Sequence, residues 1–331
     1  SDVCSSGSWL AERALARNTA PNHVNSSTHG TKRGVPIVGS DGAFVYCQAS
    51  GGVLGEFRYT DVEGNFVSTD MSLLASHLVS DVTDMSLKKS TGSTDGNRLN
   101  LVQEDGAARL VTLLREQEIT AFTRLTSPGA EFIATSVNGR NETLFITQRP
   151  DSRRLERLED GLLLDEAVTI TPGAPTDTFT GLGRFNGRQV WAIAGGDVFG
   201  PFTISGGAQV LPNEYASATF GTWSAPRVTT LPASREVGGG RVVLRKGRVH
   251  TVRLSLSDTT SVAISANGGP LREVDLVRYG MDANVPELDA GFTGQVTLDG
   301  FMGFSDAPTV TISQLRPGRL KVKSVTIEAV L

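Results

Sequence analysis

The chain has 331 residues, with 31 Lys and Arg against 35 Asp and Glu and a formal net charge of −4. That near-neutral balance argues against a general nucleic-acid binder, which carries a basic face, and 20 % charged with 39 % apolar residues excludes wholesale disorder. No apolar run approaches the roughly 20 residues that span a bilayer, and the opening SDVCSSGSWLAERALARN lacks the apolar stretch of a secretory leader, so none is expected.

At roughly 100–200 residues per domain the length predicts two or three domains. The 37 Gly and 14 Pro fall largely between short strand-like runs, which predicts an all-β chain with helix below about 15 %. Charge is uneven: residues 1–80 hold 5 basic and 7 acidic side chains, 81–168 hold 11 and 15, 169–240 only 4 and 4, and 241–331 hold 11 and 9. The charge-poor, Gly-rich third segment places a domain boundary near 170. The predicted organisation is an N-terminal arm over 1–34, a β-blade region over 35–170 and a β-sandwich or barrel over 171–331.

Within the arm, Ser8–Ala16 reads as a short helix with Ser8 as cap and Trp9, Leu10 and Leu15 as its apolar stripe. From Val35 the pattern turns to period two. VPIVG, GAFVYCQAS and GVLGEFRYT are strand-like runs between Gly, Ser and Asp turns. MSLLASHLV (Met71–Val79) breaks the rhythm and predicts one short helix with Leu73, Leu74, His77 and Leu78 on one face and Asp70 as cap. Strand runs then alternate with turns at Asp95-Gly96, Asp105-Gly106, Pro128-Gly129 and Asn138-Gly139, of which Asp-Gly and Asn-Gly are strong hairpin signals.

Three phrases align loosely at a period of about 45–55 residues, the range of propeller blades: GAFVYCQASGGVLGEFRY, NRLNLVQEDGAARLVTLL and ETLFITQRPDSRRLERL. Each pairs an apolar strand with an Arg- or Glu-bearing one across a polar turn. Three units are fewer than the roughly 4–8 blades of a closed propeller, so the region is predicted to be a partial one. After Thr169, tight Gly turns separate the strands, and the final LKVKSVTIEAVL places Leu320, Val322, Val325, Ile327 and Val330 near the core, with a bulge between Val322 and Val325 where the alternation slips.

Few residues carry chemistry. Only Cys4 and Cys47 are present, without metal spacing, and Cys47 reads as a buried apolar residue. His23, His29, His77 and His250 are scattered. Glu116 with Glu118, and Glu156 with Glu159 and Asp160, could form a carboxylate pair for glycoside hydrolysis at about 5–9 Å. Acids two apart on one strand are more often a solvated face. The densest basic stretch is Arg241, Arg245, Lys246, Arg248, His250 and Arg253. It suits phosphate contact with passing DNA or an inter-subunit patch, and equally a hairpin whose arginines pair with acids. Trp191 and Trp223 suit a sugar platform or a sandwich core. No catalytic set, cofactor site or metal site is expected.

The order of the phrases resembles a known family. PIVGSDGAFVYCQ, GEFRYT, STDMSLLASHL, LVQEDGAARLVTLLREQEITAFTRL, IATSVNGRNETLFITQR, RRLERLEDG and GLGRFNGRQVWAIAGGDVFGPFTISGGAQVLP follow one another as in the tail nozzle (tail tubular protein B-like) proteins of tailed bacteriophages. Gly181-Leu182, Phe185-Asn186-Gly187, Val190 and Gly195-Gly196-Asp197 match the opening of that family's sandwich-like domain. The resemblance runs from about Val35 to Pro212, over the C-terminal part of longer family members. It implies a non-enzymatic structural protein of the virion tail, a cyclic homo-oligomer of about six copies around the DNA channel. It also implies adaptor and fibre proteins as partners and transient contact with phage DNA. The alternative expectations are host-surface glycan recognition by a tail fibre or hub, and a polysaccharide depolymerase.

Overall fold

The computed structural model describes residues 9–10, 24–25, 29–60, 65–92, 96–237, 241–243, 246–276 and 291–331. Among them the chain is all-β, broken only by short 3-10 turns. It divides into two compact units, Ser1–Asp160 and Gly161–Leu331.

In the first unit β1 (Trp9–Leu10) pairs antiparallel with β2 (Val24–Asn25). This corrects the helix expected over Ser8–Ala16: Trp9 and Leu10 are extended, and Ser8 and residues 11–16 lie outside the described residues. Three antiparallel meanders follow. The first orders β3 (Val38–Ser40), β4 (Ala43–Cys47), β5 (Leu54–Thr60) and β6 (Asn65–Asp70). The second orders β7 (Val82–Lys88), β8 (Asn97–Gln103), β9 (Ala108–Leu114) and β10 (Ile119–Leu125). The third orders β11 (Glu131–Val137), β12 (Thr143–Gln148) and β13 (Arg153–Leu158). The three repeated phrases are the hairpins β4–β5, β8–β9 and β12–β13. Each meander is a blade.

The blades stack face to face. Val45, Cys47 and Leu54 of the first pack with Met85, Leu99, Leu101 and Val111 of the second. Its opposite face, Val102 and Ala108, packs with Phe132 and Phe145 of the third, whose rings meet edge-on at 5.1 Å. Because successive strand residues point to opposite faces, β8 is buried along nearly its whole length.

Two turn expectations change. The Asn138-Gly139 hairpin closes, but over a longer loop: Val137 pairs with Thr143, and Asn141, not Gly139, takes the left-handed φ of 61°. The Asn138 side chain serves the loop instead, accepting the N–H groups of Arg140 and Glu142 at 2.9 and 3.0 Å. Met71–Val79 forms only a kinked 3-10 turn, Leu73–Leu78, with Leu73 71 % and Leu74 96 % exposed. Asp70 does not cap it: the N-cap is Ser72, which has no side-chain cap bond, and Asp70 accepts the Ser72 N–H at 2.7 Å and its hydroxyl at 2.8 Å. The 3-10 period of three residues spreads the leucines outward, so no apolar face is buried there.

In the second unit β14 (Asp165–Ile170), which composition assigned to the blade region, joins β16 (Gln189–Ala194), β17 (Asp197–Thr203) and β19 (Ala218–Thr222) in one sheet. β15 (Thr176–Thr180) and β18 (Ala208–Tyr215) form a ribbon. Both elements share a core of Phe179, Leu182, Phe185, Val190 and Phe220. Gly195 and Gly196, at φ 60° and 89°, make the two-residue turn that joins Ala194 to Asp197.

A sandwich follows. One sheet orders β20 (Val228–Thr229), β27 (Val310–Ser313), β24 (Ala263–Ala266) and β25 (Arg272–Glu273). The other orders β26 (Phe292–Asp299), β23 (Arg248–Thr259) and β28 (Val322–Val330). Val252, Leu254, Ile264, Val310 and Ile312 fill the space between them. A separate hairpin joins β21 (Arg235–Val237) to β22 (Arg241–Val243). The bulge expected in the last strand is present, since Leu256 faces Val322 while Ser255 faces Ser324. Val330 departs from expectation: it is out of phase with Val325 and Ile327 and 61 % exposed, and Ala329 packs inward instead.

Truncating the doubly covered blade should cost far more than truncating an end face. Leu101→Ala, at a fully buried position, is expected to destabilise by about 3 kcal/mol. Leu155→Ala, at a position 69 % exposed, should stay within about 0.5 kcal/mol. Urea unfolding curves on the two variants check the contrast.

Candidate functional site

The first strands of the three blades, β3, β7 and β11, line an open groove of about 420 Å³ that includes Val38, Asp84, Ser86, Lys89, Thr135 and Val137. Short polar side chains tie these strands together. Asp84 accepts the Thr135 N–H at 2.8 Å and the Met85 N–H at 2.9 Å. The Ser86 and Thr135 hydroxyls lie 2.8 Å apart, and Asn100 donates to Ser86 Oγ at 3.1 Å. Asn100 is fully buried, and its Oδ1 has no hydrogen-bond partner. Buried polar groups demand partners, so this network fixes how the second and third blades meet. It holds a carboxylate in a structural role and leaves Lys89 as the cation lining the groove.

The predicted acids do not face one another across a cleft. Glu116 lies in a 3-10 turn, Arg115–Gln117, and Glu118 caps it with φ 54°. Both are exposed in a hairpin connection instead of on one strand face. Glu156 forms a bidentate pair with Arg149, at 3.0 and 2.7 Å. Glu159 pairs with Arg157, and Asp160 with Lys88 at 3.1 Å. Each acid of the second group is therefore held by a cation. Arg149 was invisible to sequence reasoning. Its side chain is 1 % exposed and also donates to Pro128 O and Ser127 Oγ, both at 3.0 Å, so one buried guanidinium clamps the β10–β11 connection to the third blade.

The basic stretch spreads over two elements. Arg241 lies on β22 opposite Val237, and Arg245 lies outside the described residues. Lys246 is exposed. The Arg248 guanidinium sits 6.0 Å from the Phe304 ring. His250 is the extra residue of a bulge in β23, and its Nδ1 lies 2.9 Å from Thr251 Oγ1. Arg253 forms an ion pair with Glu328, and on the same sheet Thr251 donates to Asp299 at 2.6 Å. This sheet face carries both signs of charge.

Trp191 and Trp223 are half-buried and meet edge-on at 5.7 Å, outside the cluster that forms their sheet's core. Cys47 is buried as expected, and burial pushes its thiol pKa up, with Lys32 opposing and Asp81 adding to the shift. Cys4 and His23 lie outside the described residues, while His77 is exposed on the 3-10 turn. Among the described residues no group of three or more His, Cys, Asp or Glu is placed to hold a metal.

Both ends of the blade stack expose apolar side chains, on the third blade between charged ones such as Glu131 and Arg153. On the first blade's outer face Phe44 is 50 % and Tyr59 51 % exposed, and Phe57 is half-buried. Tyr46 lies flat across Gly55, where a Cβ would approach its ring to 2.5 Å. The Tyr46 hydroxyl meets Ser68 Oγ at 2.6 Å. On the third blade's outer face Ile146 pairs across strands with Leu155, at 41 % and 69 % exposure. Exposed contiguous apolar surface marks an interaction site. Sequence alternation placed these residues in strands but not on an uncovered face.

No protein-family model and no curated protein matches the chain. Among solved structures it is similar to an exo-β-1,3-galactanase from Phanerochaete chrysosporium with galactose, at 13 % identity and a TM-score of 0.29 over 91 % of this chain and 69 % of that one. A substituted form of that enzyme with β-1,3-galactotriose gives 12 % and 0.28 over the same shares. The extracellular domain of a hybrid two-component system from B. thetaiotaomicron gives 8 % and 0.26, over 96 % of this chain and 46 % of that one. Scores of this size carry no argument about function.

Two measurements test the local chemistry. Glu142 is held below the ordinary glutamate range first by the Asn138 amide and then by Arg157. A depressed carboxyl supports the fold above its unfolded pKa, and that support is lost as pH falls through the folded value. An NMR titration should place the Glu142 midpoint low in the native chain and higher in Asn138→Ala. Iodoacetamide should modify Cys47 at least about tenfold more slowly in the folded chain than in urea, because thiolate is the reactive form. Equal rates would contradict its burial.

Proposed function

We propose that this chain is a structural component of a bacteriophage tail. In this reading it assembles as a ring-shaped homo-oligomer around the DNA channel and anchors neighbouring tail proteins such as adaptor and fibres. The observation that carries the reading is the blade stack: its middle member is covered on both faces, and its two ends present Phe44 and Tyr59 on one side and Ile146 and Leu155 on the other. Such a segment gains by docking, and head-to-tail contacts that close generate rings. The ordered phrases shared with tail nozzle proteins support the same reading. Arg241, Arg245, Lys246, Arg248 and Arg253 are then the candidates for transient contact with phage DNA or with a neighbouring subunit.

A second reading is host-glycan recognition, favoured by the 64 % exposed Phe304 beneath Arg248 and by the Trp191–Trp223 pair, since aromatic faces suit sugar rings. Sedimentation at micromolar concentration, with negative-stain imaging, separates the two. Rings with an axial opening are expected. A monomer that persists with portal and adaptor proteins present, yet is retained on a glycan array through Phe304, would replace the first reading by the second.

A further inference from the structure

Two arginines face each other at the edge of the second blade. Arg109 on β9 stands directly opposite Arg124 on the edge strand β10. Opposite residues of an antiparallel pair share one face with their Cβ atoms about 4.5–5.5 Å apart, and like charges placed so destabilise a sheet. Among the described residues neither guanidinium forms an ion pair, whereas Arg98, Arg115, Arg149 and Arg157 of the same unit each have an acid. Arg109 is also anchored. It lies across from Leu101, at the margin of the core between the first two blades. Its Nε donates to the Leu78 carbonyl at 3.2 Å and its Nη1 to the Ala108 carbonyl at 3.0 Å. The buried Gln103 amide donates to the same Leu78 carbonyl at 3.1 Å, so the acceptor is fixed in place. Among the described residues Nη2 of Arg109 has no partner, and Arg124 is exposed without a hydrogen bond. Burial lowers the Arg109 pKa and Arg124 lowers it further, with Asp105 opposing. Asp105 forms no ion pair with it and instead accepts the Ala107 N–H at 3.0 Å. The residue before Leu78 is His77, exposed on the 3-10 turn.

We infer that Arg109 and Arg124 together hold a phosphate dianion, free or as a phosphomonoester. Two guanidinium charges match a dianion, and phosphate oxygens accept the parallel N–H groups that a guanidinium offers. A carboxylate would neutralise only one of the two. Arg109 supplies the fixed donors, and the exposed Arg124 closes on the ligand from the edge strand. The site uses one blade of a single copy, so it is independent of the ring reading above.

The Arg109 Nε–H resonance reports the site. Titration with inorganic phosphate at slightly alkaline pH and constant ionic strength should move it along a saturable curve, half complete at millimolar concentration. Arg124→Gln should weaken that binding at least about tenfold, through loss of a charge-assisted bond. Arg227→Gln, which removes the same charge from an exposed position of the second unit, should leave it unchanged. Adenosine monophosphate as a second probe separates the sources: tighter binding than phosphate assigns the site to an ester, and equal binding to the free ion. Arg124 is exposed on an edge strand, so its substitution should keep the fold. In phosphate-free buffer Arg124→Gln should even melt above the wild type, because the like-charge contact is gone. Phosphate at fixed ionic strength should then raise the wild-type midpoint more than the variant's. A shift that never saturates, or one equally large in Arg124→Gln, would reduce the effect to the general action of phosphate on protein surfaces and overturn the inference.

Discussion

Strand Asn97–Gln103 has no face to give to water. Leu99 and Leu101 are buried against the first blade, while Asn100 and Val102 on the opposite face are buried toward the third. Two-sided burial turns a half-solvated hairpin into the centre of a stack. Each apolar side chain removed from water contributes on the order of 1.5–3 kcal/mol, and here both faces of one strand pair contribute. An isolated two-stranded hairpin is marginal in water. The blades of the first unit are therefore stable as neighbours more than as individuals, and the same logic leaves the outermost faces incomplete.

Polar groups decide how the stack is aligned. Hydrophobic contact is non-directional, so Val102 against Phe132 would tolerate sliding. The Asp84 bond to the Thr135 backbone, and the Ser86–Thr135 contact backed by Asn100, would not. On the face of the third blade that meets the second, Arg149 plays a comparable part, its buried guanidinium satisfied by Glu156, Ser127 and Pro128. Burying a charge is costly unless it is paired and hydrogen-bonded, and four donated bonds with good geometry meet that requirement. Glu156, a candidate for hydrolysis by its neighbours in the chain, is committed to that clamp.

The second unit follows a different plan. Its sandwich core is built by alternation, so most of its inward residues were visible in the chain: Val252, Leu254 and Leu256 on β23 face Val322, Val325 and Ile327 on β28. Bulges reset the phase where alternation slips. The one opposite Leu256 announced itself through the spacing of Val322 and Val325. The other, at His250, did not, because Thr251 and Asp299 make an ordinary polar pair on the outer face.

The all-β class, the three repeated hairpins, the turn glycines and the core alternation belong to the sequence by itself, because period-two patterning and turn chemistry are properties of neighbours along the chain. Tertiary structure alone decided which face of each hairpin is covered. Phe44 and Leu99 occupy equivalent places in the same phrase, yet one is half exposed and the other sealed. It also decided that Leu73 and Leu74 point to solvent, that Arg149 is buried, and that the basic stretch divides between β22 and β23. Burial depends on what lies opposite in space, and for a blade that neighbour is about 50 residues away along the chain.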